Sequence, residues 1–120
     1  MNSEELKVRT KQFALRVMKL VGALPRTIVG RAIGNQLVRC GTSVGANYRA
    51  ACRSRWKAEF AAKLGTVEEE ADETCFWLEL IVEGALLPEK RVAALLEEAN
   101  ALTAIFTSAV RTSKLGRNRR

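Results

Sequence analysis

Asn35-Gln-Leu-Val-Arg-Cys-Gly-Thr-Ser-Val-Gly-Ala-Asn-Tyr-Arg-Ala-Ala51 decides how the chain is read, because it has too many small residues for an ordinary helix and too few turn formers for a loop. Gly34, Gly41 and Gly45 fall with Leu37 or Val38 at steps of three and four, and Gly30 lies one turn further back. On a helix the four glycines would share one face. Each would cost that helix about 0.8–1 kcal/mol against alanine, so the segment needs tertiary contacts to hold it. The return would be a groove without side chains, open to close approach by a neighbouring helix. Alternatively, the glycines mark a loop between two short helices.

Outward from this stretch the helical signals multiply. Ser3 reads as an N-cap with Glu4 and Glu5 behind it, and Leu6, Phe13, Val17, Leu20 and Leu24 recur at helical steps, giving a first helix over about residues 4–22. Pro25 biases Leu24 out of the α region, so the chain turns over Gly22 to Arg26, and a second helix runs from about Thr27 to Arg53. From Ser54, the residues Phe60, Leu64, Val67, Ala71, Thr74, Leu78, Ile81 and Ala85 alternate steps of four and three, the pattern of a bundle seam. A helix of that length demands an equally long neighbour. Pro88 ends it, and Glu89 opens a fourth helix with Val92, Leu95, Leu96, Ala99, Leu102, Phe106, Ala109 and Val110 in one stripe. The expected domain is residues 1–113, followed by an unpatterned basic tail, residues 114–120, expected to be disordered.

The 120 residues suffice for one domain with a real core, and 48% hydrophobic and 28% charged residues with only two prolines suit a globular, helix-rich chain. No apolar run approaches the ~18 residues of a membrane span. Cys40, Cys52 and Cys75 are odd in number, lack C-x-x-C spacing and sit inside apolar-periodic segments. They read as buried thiols in a reducing compartment, and the expected location is the cytoplasm.

The net charge of +7 hides an asymmetry. Residues 1–57 carry twelve bases against two acids, residues 58–98 carry three against eleven, and residues 99–120 add five bases. Either the basic and acidic segments pair internally, or they leave a positive surface fit for phosphate. Lys7, Lys11, Arg16 and Lys19 on the first helix, Arg53, Arg55 and Lys57 at the second turn, and Lys114, Arg117, Arg119 and Arg120 in the tail are the candidate nucleic-acid-binding residues; as ordinary solubilising charges they would do nothing further. Trp56 beside Arg55 and Lys57 reads as an interface anchor or a stacking platform.

Catalysis has little to draw on. There is no histidine, which removes the commonest general base and metal ligand, and with it the Glu-x-x-His pairs of di-iron bundles. The acids from Glu68 to Glu73 read instead as a solvated or arginine-paired face. Thr42, Ser43, Asn47 and Tyr48 read as helix-packing hydrogen bonders, and Gly41 to Gly45 fits no phosphate-loop pattern. No catalytic residue, cofactor or metal is expected.

The string Gln36 to Ala50, followed by Phe60-Ala-Ala-Lys-Leu64 and Glu70-Ala-Asp-Glu-Thr-Cys-Phe-Trp-Leu78, resembles the bacterial "four helix bundle protein" family, first noticed as proteins encoded in intervening sequences of large-subunit ribosomal RNA genes. Resemblance runs from the Phe13 helix to about Val110. It implies an all-α, antiparallel up-and-down four-helix bundle with a long central hairpin, and self-association into a ring of five. It also implies distant kinship with the accessory protein of diversity-generating retroelements, a basic pentameric barrel that engages a reverse transcriptase and nucleic acid. Cys40 departs from the serine common in the family, and the basic tail has no family counterpart.

With the second helix so placed, a hairpin turn near Arg53 and Ser54 would set Gly45 beside Ala62 or Lys63, Gly41 beside Thr66 or Val67, and Gly30 beside Phe76 or Trp77. It would also bring Arg39 to Glu68 or Glu69 and Arg49 to Glu59. The expected function is a non-enzymatic, self-associating accessory or scaffold protein with a basic surface that binds RNA or DNA. A protein-interaction module with no nucleic-acid role is the alternative.

Overall fold

The computed structural model describes the backbone of residues 1–118 and the side chains of residues 1–116. Four helices follow one another, α1 (Ser3–Gly22), α2 (Ile28–Cys52), α3 (Lys57–Glu83) and α4 (Glu89–Asn118). Consecutive helices pack closely, whereas α1 meets α4 thinly and the backbones of the diagonal pairs stay apart, meeting only through side chains. The result is an antiparallel up-and-down bundle, 52 × 23 × 20 Å, with α2 and α3 as its long central hairpin.

Local chemistry accounts for the helix ends. Asn2, rather than Ser3, caps α1, its Oδ1 accepting from the Glu5 amide at 2.8 Å. Thr27 does the same for α2, taking the Gly30 amide at 3.0 Å. Pro88 precedes α4 and contributes its carbonyl to the Arg91 amide at 3.0 Å. α4 continues to Asn118, so helix covers the start of the segment read as tail. Nothing between Val110 and Leu115 breaks a helix, and Gly116 costs only about 1 kcal/mol. Arg119 and Arg120 lie outside the described residues.

The seam read from the sequence forms the core from Leu64 to Ile81, whereas Phe60 is half-buried and Ala85 is exposed beyond the end of α3. Phe13, Val17, Leu37, Leu64, Leu78 and Phe106 lose essentially all solvent contact, and Tyr48 leans on Phe106 with ring centres 5.3 Å apart. Two hydroxyls are buried with them, each satisfied one turn back. Thr10 donates to the Leu6 carbonyl and Thr74 to the Glu70 carbonyl, both at 2.8 Å.

The four glycines do lie within one helix, but they face α1 rather than α3. A Cβ on Gly41 would stand 2.7 Å from Val17 Cγ1, and one on Gly45 would stand 3.3 Å from the Thr10 backbone. Gly34 packs beneath Val21 and Leu24, and Gly30 beneath the carbonyl of Pro25 in its own turn. The expected contacts of Gly45 with Ala62 or Lys63, of Gly41 with Thr66 or Val67, and of Gly30 with Phe76 or Trp77 are therefore replaced. Leu37, Cys40 and Val44 turn to the core instead, with Cys40 Sγ accepting from Thr74 Oγ1 at 3.3 Å.

Candidate nucleic-acid interface

Because Gly41 admits Val17 so closely, α1 and α2 run side by side with a shallow groove on their outer surface. Lys7 and Lys11 stand four residues apart on one wall, and Arg49 and Arg53 four apart on the other. Ala14, Gly45 and Ala46 form the floor of this groove of about 470 Å³. The Thr42 hydroxyl at its edge is turned back, donating to the Val38 carbonyl at 2.6 Å. Of the four bases only Lys7 has an ion-pair partner among the described residues, Glu4 at 3.1 Å, and that carboxylate is largely exposed. Such a pair contributes little and gives way readily to a competing anion. The arrangement can hold an anion between two cationic walls.

Lys7, Lys11 and Arg53 are thus brought together, and Arg49, assigned from sequence to Glu59, joins them. Its signal was present: Arg49 precedes Arg53 by one turn and follows Gly45 by four residues, on the same side of α2. The other sequence candidates go elsewhere. Arg16 and Lys19 meet Arg91, which sequence reasoning missed, around a hollow of about 320 Å³ on the α1–α4 side. Arg55 is exposed in the α2–α3 turn, beside Trp56, which is 70% exposed. Lys57 edges an apolar hollow of about 560 Å³ walled by Leu6, Phe60 and Ile105. Lys114 lies by Glu68 and Glu69 on the α3–α4 side. The side chains of Arg117, Arg119 and Arg120 lie outside the described residues.

Part of the acidic segment is consumed internally. Arg39 forks across α3, reaching Glu70 at 3.3 Å and Glu73 at 2.5 Å, one and four residues beyond the expected Glu69. The turn occupies Arg53 to Trp56 rather than closing tightly at 53 and 54, which shifts the register of α3 against α2. The Trp77 indole donates to Glu73 at 3.1 Å, and this bond, with Arg39, holds the Glu73 carboxyl below its usual range. Thr107 donates to Glu68 at 2.6 Å. Across the α1–α4 seam, Arg9 grips Glu98 with two bonds of 2.7 Å, lowering the Glu98 carboxyl in turn.

The remaining titratable groups are poorly placed for chemistry. Burial pushes the Cys40 and Cys75 thiols and the Tyr48 phenol up, which disfavours their reactive anions. All three cysteines are free. Among the described residues no three His, Cys, Asp or Glu side chains gather where a metal could sit, and no helix is long and apolar enough to cross a membrane.

Comparison with known proteins agrees with this architecture. The fold is similar to the crystal structure of a protein of unknown function from the S23 ribosomal protein family of Bacteroides thetaiotaomicron, with a TM-score of 0.80 and 28% identity over 87% of this chain and 96% of that one. No curated protein matches the chain. The family model for the 23S rRNA-intervening sequence protein matches residues 4–108, which takes in the groove on both of its walls. With α2 and α3 wholly inside that match and most of α1 and α4 with them, the chain belongs to the 23S rRNA-intervening sequence protein family.

Proposed function

We propose that the protein is a non-enzymatic, self-associating scaffold that binds RNA or DNA through the basic groove between α1 and α2. The observation that carries this reading is the convergence of Lys7, Lys11, Arg49 and Arg53 on one groove with no acidic residue in its lining. Polyanion binding there would be driven by counterion release and be largely blind to base sequence. Arg55 and Lys57 lie toward the same end of the bundle, where α2 ends and α3 begins, and extend the positive field beyond the groove, whereas Lys114 lies against Glu68 and Glu69. Free thiols fit a protein working in the cytoplasm.

Self-association is supported by two unlike strips on opposite corners of the bundle. α1 exposes Leu15 and Met18 beside Lys19, and α3 exposes Phe76 between Asp72 and Glu79. The strips complement one another in charge and each carries apolar surface, so copies can associate head to tail. Such contacts close into rings when the rotation between copies allows, and five is the number the family resemblance implies. Leu15 and Met18 lie about 6–10 Å along the helix from Lys11, which leaves the basic end of the groove open. Repetition around a ring would multiply a weak phosphate affinity.

Light scattering of the purified protein, alone and with 23S rRNA fragments as first probe, tests this reading. A multimer that takes up RNA at low salt and releases it at high salt is expected. A slope of log affinity on log salt near −3 would match about four phosphates neutralised on a single strand, and Arg49→Gln should reduce it by about 0.7. A multimer that ignores nucleic acid at low salt would favour the protein-interaction reading, for which the exposed Ile28, Val29 and Trp56, outside those strips, speak.

A further inference from the structure

Resting on that reading, we infer that the α1–α2 groove grips one phosphodiester strand by its backbone and leaves the bases facing solvent, free to pair. Width is the first ground. Contact as close as Gly41 against Val17 sets the two helix axes at the short end of helix packing, about 8 Å. The two basic walls are therefore about one helix spacing apart. A duplex, whose major groove alone is about 12 Å wide, can rest on the rims but cannot enter.

The second ground is the spacing along the groove. Lys7 and Lys11, like Arg49 and Arg53, are four residues apart, about 6 Å along the helix axis, comparable with successive phosphates of an extended strand. Antiparallel packing, with Gly41 against Val17 and Gly45 against Thr10, sets Lys7 level with Arg49 and leaves Lys11 and Arg53 a turn to either side, so cationic groups recur at three successive steps along the groove. The floor of Ala14, Gly45 and Ala46 is short enough for the sugar–phosphate chain to settle between them.

The third ground is what lines the groove. Proteins that hold single strands through their bases stack them on aromatic rings. No aromatic residue lines this groove, and Trp56 projects from the turn rather than into it. Backbone contact is the chemistry on offer, so the bases turn outward and keep their pairing edges. A multimer carrying several such grooves would then present strands to one another, and complementary ones would anneal faster on it than in free solution.

The test uses the full chain and fluorescence anisotropy at low salt. The probes are strands of about 12 nucleotides, the duplex of the same length, and an abasic sugar–phosphate strand, in ribose and deoxyribose forms. Single strands should bind about tenfold more tightly than duplex, and the abasic strand within about threefold of the intact one. The tighter of the ribose and deoxyribose strands identifies the natural polymer. Ala46→Leu fills the floor at an exposed helical position without changing charge, and should weaken single-strand binding about tenfold with helicity unchanged. Duplex bound as tightly as single strand, an abasic strand that loses most of its affinity, or Ala46→Leu without effect would each overturn the inference while leaving the broader reading intact. Failure of every polymer to bind would instead refute the nucleic-acid reading itself.

Discussion

Ala85 holds a left-handed backbone, φ 57°, the one non-glycine residue to do so among those described. It follows Gly84 at the end of α3, where the Leu86 amide donates to the Ile81 carbonyl at 2.9 Å and the Ala85 amide to the Val82 carbonyl at 3.1 Å. This is the paired closure in which glycine normally takes the left-handed place, here one residue ahead of it. Alanine in that conformation costs about 1 kcal/mol, part of which glycine returns through its freer unfolded chain. Ala85→Gly is therefore expected to stabilise the protein by about 0.5 kcal/mol, read as a raised urea midpoint with unchanged slope. Pro88 announced the end of α3 in the sequence, but Ala85 was read as the last seam position of that helix, since alanine carries no turn signal. Arg49 was hidden for a related reason: its partner depends on which side of α2 it faces, and a lone arginine does not say.

At the scale of the helix pair, α1 and α4 are joined thinly, and Arg9 with Glu98 is the clasp. The Glu98 carboxyl is held below its usual range first by the Arg9 hydrogen bonds. A depressed carboxyl contributes stability in full above its unfolded value, about 4.3, and loses it as pH falls through the lower folded value. Thermal unfolding from pH 6 to pH 3, about the window those values define, should show a smaller loss of stability in Glu98→Gln than in the wild type. Helix number, order and core stripe were all legible, because the seam from Phe60 to Ile81 keeps its period without interruption. The partner of the glycine face was not legible. Periodicity puts Gly41 and Gly45 beside the stripe of Leu37 and Val44, but whether that flank meets α1 or α3 depends on the handedness of the bundle, which spacing does not encode. Arg39 reaches past Glu69 to Glu70 and Glu73 because the α2–α3 connection was read too short.

Over the whole molecule, charge and apolar surface are divided between opposite corners. Lys19 accompanies Leu15 and Met18 on α1, while Asp72 and Glu79 accompany Phe76 on α3. If these strips join neighbouring copies, Leu15→Asp and Phe76→Lys should each lower the mass measured by light scattering to that of the monomer without loss of helicity. Combining the two should not restore assembly, since the apolar contact is removed on both sides. An unchanged mass in both variants would place self-association elsewhere. Of the basic groove, Lys7 and Lys11 were visible in the sequence as charge on a predicted helix face and Arg53 as charge at a predicted turn; their convergence required the geometry that Gly41 imposes on α1 and α2.

The order in which the helices touch bears on how the chain comes to be folded. Every extensive contact joins helices adjacent along the chain, and the closure of α4 on α1 is thin. Folding can then proceed as the chain leaves the ribosome, each new helix docking on the one just made and closing only a short connection. The bundle need not wait for its C-terminus to find its N-terminus before its first helix pairs form, although the core stripe they share is closed only when α4 docks.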